Sequence, residues 1–373
     1  MSNLLLRELP ARERAAAETV WHQLESQLGN GGLTSSWFWT STWLDVYGDL
    51  VPHVFLIAER DSQPCAITLI TQGVQQKRGP VPVRTIHLGT GGEPPGSSVC
   101  TEYLRLLVNE GDRQEVSLAI LQHVTASGRK WEEFVLDGMV PEDAVPFFQH
   151  KGYWFSRNET CRTSDFAPIR QSGGDVVASL GKNTRYSIRR SMRRFGDLDV
   201  ERATTEEQAH RFFDEMVDLH QRHWQAIGQP GAFADARFCL FHRSILNGLL
   251  ERNALLMTRV RTNDQTIGSI YGFIEHNRVL MYQSGFADFD DDKLKPGLVS
   301  HALIMQYCLE AGIDEYDYLY GDSRYKQDLT NSSRELIYAV LSKRTIKQAL
   351  LRRARVRHYG ESMKLPESDI GTP

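Results

Sequence analysis

Residues 254–286 constrain the fold more than any other stretch. Three strand-forming runs, at 254–261, 266–275 and 278–286, are separated by the tight-turn pairs Asn263-Asp264 and His276-Asn277. That spacing predicts an antiparallel meander. Lys295-Pro296-Gly297 then opens an apolar helix to about residue 310, and Gly312 stops it. A strand is expected at 316–320 and a last one at 335–341. Upstream of the meander, Thr204-Thr205-Glu206-Glu207 begins a long helix reaching Trp224, and another helix is expected at 236–250. Helices alternating with a mainly antiparallel sheet make an α/β (α+β) chain.

A second series precedes this one. Helices are expected at 11–28, with Val20, Trp21, Leu24 and Leu28 on one stripe, and at 37–47, 115–127 and 144–151. Strands are expected at 53–58, 66–72, 83–88 and 134–136. Residues 89–96, rich in glycine and proline, read as a loop long enough to line a cleft. A chain of 373 residues exceeds what one hydrophobic core usually supports. The glycine pair in Gln171-Ser172-Gly173-Gly174-Asp175 marks the boundary, giving domains at 1–170 and 171–345 and a basic helix and tail at 346–373.

The remaining signals narrow the class. With 41% hydrophobic and 24% charged residues the composition is that of a globular protein. No apolar run reaches bilayer length, and the start Met1-Ser2-Asn3-Leu4 lacks a signal pattern, which points to the cytoplasm. The five cysteines are scattered and read as reduced, and the twelve histidines lack the paired spacing of a metal site, so no metal is expected. A net charge of -4 argues against a surface built throughout for nucleic acid. Two local basic runs, 182–194 and 343–357, read either as solvated faces or as contacts for phosphate, RNA or an anionic surface. There is no Gly-x-Ser-x-Gly elbow, so direct attack of an acceptor is simpler than a covalent enzyme intermediate.

Four segments carry a resemblance: Ser179-Leu180-Gly181-Lys182-Asn183-Thr184-Arg185, Lys295-Pro296-Gly297-Leu298-Val299, Ala311-Gly312, and Gly321-Asp322-Ser323-Arg324-Tyr325-Lys326. Together with the order of elements they make the chain similar to the GNAT acyltransferases of the CelD/BcsL type, related to the FemAB aminoacyl transferases. The resemblance implies two GNAT-like halves in tandem, the first on the acceptor side with a degenerate donor site. It implies acyl-CoA, as acetyl-CoA, bound at Pro296, Gly297, Leu298, Val299, Ser300 and Gln283, with backbone N–H groups of the helix start facing the pyrophosphate. Val299 stands where the family has a second small residue. Lys326, with Tyr325 and Asp322, is the implied catalytic group, its charge stabilising an oxyanion or a phosphate. Arg185, Arg189 and Tyr282 are the implied substrate contacts, and Arg190 lies in the same basic segment.

No single general base stands out among Glu275, His276, Gln283, Asp288, His301 and Asp322. His301, on an apolar helix, has the pattern of a packed histidine. The expected function is transfer of an acyl group from acyl-CoA to an amine of a small molecule or glycan precursor. Aminoacyl transfer from charged tRNA, with tRNA as partner, and a non-catalytic binding role on the same fold are the alternatives. The acceptor and the oligomeric state are not legible.

Overall fold

The computed structural model describes residues 4–29, 31–126 and 128–359. Ser127, the last residue of the helix expected at 115–127, and the part of the expected basic tail beyond residue 359 lie outside them. The chain forms two compact units, Met1–Glu159 with Glu335–Pro373, and Thr160–Arg334. Both crossings fall inside long strands, Tyr153–Asp165 and Ser332–Ser342, so the 171–175 segment lies within the second unit.

In the first unit, Leu4–Pro10, His53–Arg60, Gln63–Gln72 and Thr85–Leu88 pair antiparallel in that order. Thr85–Leu88 then pairs parallel with Glu133–Met139, and the helix Arg113–Ala126 makes the crossover. Ile337 to Ser342 pair antiparallel with Glu133–Met139 on its other side. Phe134, Leu136, Val116, Ile120 and Ile337 are buried together in this unit's core. The expected helix at 144–151 is a short turn, Pro141–Ala144, followed by the 3-10 segment Val145–Gln149. Pro146 has no N–H for an α-helical bond, which stops the α-helix there. The 89–96 loop does not simply line a cleft. Trp39 Nε1 donates to Thr90 Oγ1 and Trp43 Nε1 to Glu93, burying both acceptors.

The second unit repeats the plan. Asp199–Arg202, Leu255–Arg261, Thr266–Glu275 and Arg278–Phe286 form the antiparallel part, and Arg278–Phe286 pairs parallel with Glu315–Tyr320. His276 and Asn277 both have positive φ, 47° and 59°, as a two-residue hairpin turn requires. The crossover helix is Pro296–Glu310. It covers one sheet face together with Lys182–Phe195, and Glu206–Ala226 and Ala236–Glu251 pack on the meander as well. Thr205 and Asp235 cap the latter two helices, accepting from Gln208 N and Phe238 N, which fixes where each begins. Each unit is thus a mixed, mainly antiparallel sheet flanked by helices, and the sequence expectation of two such halves in tandem holds. At the equivalent crossover the first unit carries Glu110, Asp112 and Glu115 near its helix start, where the second carries Pro296-Gly297.

Candidate active site

Two local irregularities open the second unit's sheet. Opposite Tyr271 and Gly272 stand Gln283 and Met281, so Tyr282 is an extra, bulged residue. In the neighbouring strand, Asp317 faces Thr163 while Tyr320 faces Cys161, so one extra residue is accommodated between them. Leu319 there has φ 56°, a left-handed conformation costing a leucine about 1–3 kcal/mol. The parallel pairing of Arg278–Phe286 with Glu315–Tyr320 runs only from Arg278/Glu315 to Leu280/Asp317. Beyond it the two strands part, leaving a notch.

The start of helix Pro296–Glu310 lies against the strands around this notch. Gly268 lets it approach: a Cβ there would stand 2.2 Å from Ser300 Oγ and 2.8 Å from Phe286. An added Cβ on Gly297 would meet the Phe286 ring at 3.3 Å. Val299 N–H donates to Lys295 O at 3.0 Å, so it is spent inside the helix. The donors a helix start leaves open are therefore Gly297 and Leu298 N–H, not those of Val299 and Ser300 as the sequence suggested. Val299 is fully buried in the core, so its bulk points away from the open helix start.

The basic helix Lys182–Phe195 fixes the segment entering this turn. Arg190 Nη2 and Ser191 Oγ both donate to Lys293 O at 3.1 Å, and Ser191 Oγ accepts from Lys295 N at 3.2 Å. Arg194 pairs with Asp291 at 2.5 Å. Arg185 turns back to Ala178 O and Leu180 O, and the exposed Arg189 stands 3.9 Å from Asp175. Neither of these two reaches the notch; the nearby Arg190 and Ser191 hold its entry instead.

His301 is the centre of the site. It is buried against Phe286, Tyr316 and Tyr318, and Tyr325 stacks on it at 5.7 Å. Burial, reinforced by the Lys326 charge, lowers its pKa to about 3, so the imidazole is neutral at physiological pH. Both its ring nitrogens, Ser300 Oγ and Tyr316 OH are buried without a hydrogen-bond partner. Buried polar atoms are normally satisfied, so four orphans in consecutive helix residues and a facing strand mark a place that water or a ligand fills.

Lys326 has a different task from the expected one. Its Nζ donates to Tyr318 O at 2.7 Å, Leu319 O at 3.3 Å and Tyr320 O at 2.7 Å. The three protons of an ammonium are thereby engaged within the fold, which leaves none for a reacting oxygen or phosphate. Leu319's left-handed turn is what brings the three carbonyls together. Asp322 accepts from Arg162 Nε at 2.8 Å and from Gln327 Nε2 at 2.9 Å; the Arg162 bond holds its carboxyl below the usual carboxylate range, and a proton acceptor needs the opposite shift. Tyr282 turns to helix Ala236–Glu251, its OH 3.2 Å from His242 Nε2, and Gln283 is partly exposed beside the bulge. The structure therefore gathers Pro296, Gly297, Ser300, Tyr325 and Lys326 around His301, and leaves Arg185, Arg189 and Tyr282 elsewhere. Sequence reasoning missed Gly268, Tyr316 and Tyr318. A glycine inside a strand, and tyrosines two apart in Glu315–Tyr320, are the signals that point to a close approach and a shared face.

Gly268→Ala is expected to push the helix start off the sheet and to lower stability by about 1–3 kcal/mol. Chemical denaturation checks this, and an unchanged midpoint would show that the contact is soft.

A helix start with open donors beside parted parallel strands, lined by unsatisfied polar groups, makes this the candidate site of the second unit. Residues 182–327 match the acetyltransferase (GNAT) domain family. Among solved structures the chain is similar in fold to the C-terminal domain of a putative lysylphosphatidylglycerol synthetase from Agrobacterium fabrum, with 13% identity, TM-score 0.52, and 92% and 96% of the two chains covered. FemX is similar at 11% identity and TM-score 0.54, covering 90% and 98%. L-PGS from Bacillus licheniformis follows at 11% and 0.50, covering 91% and 94%. No curated protein matches the sequence.

Proposed function

We propose that the chain transfers an acyl group from acyl-CoA to an amine. The observation that carries this reading is the set of buried orphans, Ser300 Oγ, His301 and Tyr316 OH, under a helix start whose Gly297 and Leu298 N–H groups are open to phosphate. The donor's pyrophosphate takes the helix start, and its polar chain enters the notch and meets the neutral His301. Tyr325, 37% exposed, covers the imidazole from outside. Phe286 walls a second cavity of about 420 Å³ that also contains Glu215, Asp218 and Asp288. Arg222 lines it too, and with Glu215 paired to Arg259 and Asp218 to Arg222 the cavity offers an amine acceptor a polar wall with Asp288 as its further carboxylate. The acceptor reacts as the neutral amine, its ammonium first losing a proton to solvent; the nitrogen attacks the acyl carbonyl, the C–N bond forms as the C–S bond breaks, the thiolate leaves with the donor, and a second proton passes from the nitrogen to solvent in the cavity.

Calorimetric titration of the full chain with acetyl-CoA tests the donor. Binding is expected, and it weakens at least tenfold in His301→Phe, which removes the orphan nitrogens and keeps the ring, worth about 1.4 kcal/mol. A second reading is aminoacyl transfer from charged tRNA. The exposed Arg189 and Arg193 of the basic helix favour it, as does the fold shared with FemX. Charged tRNA bound while acetyl-CoA is not would replace the first reading by the second.

A further inference from the structure

The first unit contains a cavity that plays no part in the donor site. It measures about 270 Å³ and lies at the start of helix Ile346–Tyr359, lined by Tyr153, Lys343, Arg344, Thr345, Gln348 and Arg352 among others. None of its lining residues is acidic. Lys343, Arg344 and Arg352 have no carboxylate partner among the described residues, although the neighbouring Lys347 and Arg355 pair with Glu132 and Glu133. Arg344 and Arg352 each stand 4.9 Å from the centre of the Tyr153 ring, and Lys343 lies 4.7 Å from that of Trp131. Three cations are thus held in place by aromatic rings with their charge uncompensated.

A second, independent feature lies in the same cavity. Gln348 is 2% exposed, and neither Nε2 nor Oε1 of its amide has a partner. Thr345 caps the helix, its Oγ1 accepting from Gln348 N at 3.2 Å and its carbonyl from Ala349 N at 2.9 Å. That leaves Ile346 and Lys347 N–H as the donors a helix start keeps open. A buried amide without a partner costs stability, and a ligand that accepts its N–H group removes the cost. Uncompensated guanidinium groups, open helix donors and an amide donor in one cavity suit a phosphate.

We propose that this cavity binds a phosphate monoester, presented by an anionic lipid headgroup or free in solution. The neighbouring surface favours the lipid. Ile346 and Leu350, one helical turn apart, are 84% and 59% exposed, and Arg353 and Arg357 are exposed on the same helix. Apolar side chains flanked by cations are what a helix resting on an anionic bilayer presents. Nothing here depends on the donor reading, and acetyl-CoA binding serves as the control for an intact second unit.

The test uses the full chain with three probes: phosphatidylcholine vesicles containing phosphatidic acid, phosphatidylcholine vesicles alone, and inorganic phosphate. Retention by the phosphatidic acid vesicles but not by those of phosphatidylcholine, lost about tenfold in the Arg344→Gln, Arg352→Gln pair, supports the site with a lipid source. In that case Ile346→Ser with Leu350→Ser weakens vesicle binding and leaves phosphate binding intact. Phosphate bound without vesicle retention, and weakened by the same arginine changes, supports the site with a soluble source. Gln348→Leu distinguishes a built site from a basic surface: it is expected to raise Tm, because the orphaned amide is gone, and to weaken phosphate binding several-fold. Absence of both kinds of binding, binding indifferent to Arg344, Arg352 and Gln348, or capture of tRNA with neither phosphate nor vesicles bound overturns the proposal.

Discussion

Lys326→Met is expected to destabilise the second unit by roughly 3 kcal/mol or more and to abolish donor binding. Lys326 is 8% exposed, and its ammonium donates to the carbonyls of Tyr318, Leu319 and Tyr320. Those carbonyls point to one side because Leu319 is held at φ 56°. Methionine fills the space and donates nothing, so two buried acceptors and a partly buried one lose this partner, and the strained turn loses what offsets its cost. As the turn relaxes, the end of Glu315–Tyr320 shifts and the notch beside His301 closes or distorts. Denaturation and acetyl-CoA titration read the two effects separately. A variant of normal stability that still binds donor but does not turn over would restore Lys326 to a direct catalytic role.

Acidification is expected to cost nearly as much. His242 and His301 are both buried, and burial lowers each pKa to about 3. In the unfolded chain a histidine takes up its proton below about 6.5. The native state binds fewer protons in this window, so stability is fully present above pH 6.5 and is lost as pH falls toward 3. At pH 5 the two together remove about 4 kcal/mol. The carboxyl groups of Glu8 and Glu132, which desolvation would raise but which partners such as Arg129 and Lys347 hold low, add a further loss only below the ordinary carboxylate range. His301→Phe is expected to halve the loss between pH 7 and pH 5 and to leave stability at pH 7 undiminished, since the ring sits among Phe286, Tyr316, Tyr318 and Tyr325. Denaturant midpoints across that range check it; a slope unaltered by replacing either histidine would sink the assignment.

Much of the second unit is legible because its signals are local. Turn pairs set the meander, Thr205 and Asp235 announce their helices, and Pro296-Gly297 marks a helix start. Leu4–Pro10 and Tyr153–Asp165 were not legible. The first is an edge strand paired with His53–Arg60, and the second carries Arg157, Asn158 and Glu159 in its middle, so both owe their conformation to residues far away in sequence. Pro146 could have warned that 144–151 is not one helix.

Residue types and spacing alone determined most elements of the second unit and the helix start at Pro296-Gly297, because hydrogen bonding within a turn or a helix end is settled by a few adjacent residues; the tandem of two halves was implied by the family resemblance. Tertiary structure decided what the side chains do there. Lys326 became a clamp on its own strand, Asp322 a partner of Arg162, and His301 a neutral group with two open nitrogens. Those outcomes depend on which carbonyls, cations and rings the fold brings within about 3 to 6 Å, a matter of long-range packing that no local pattern encodes.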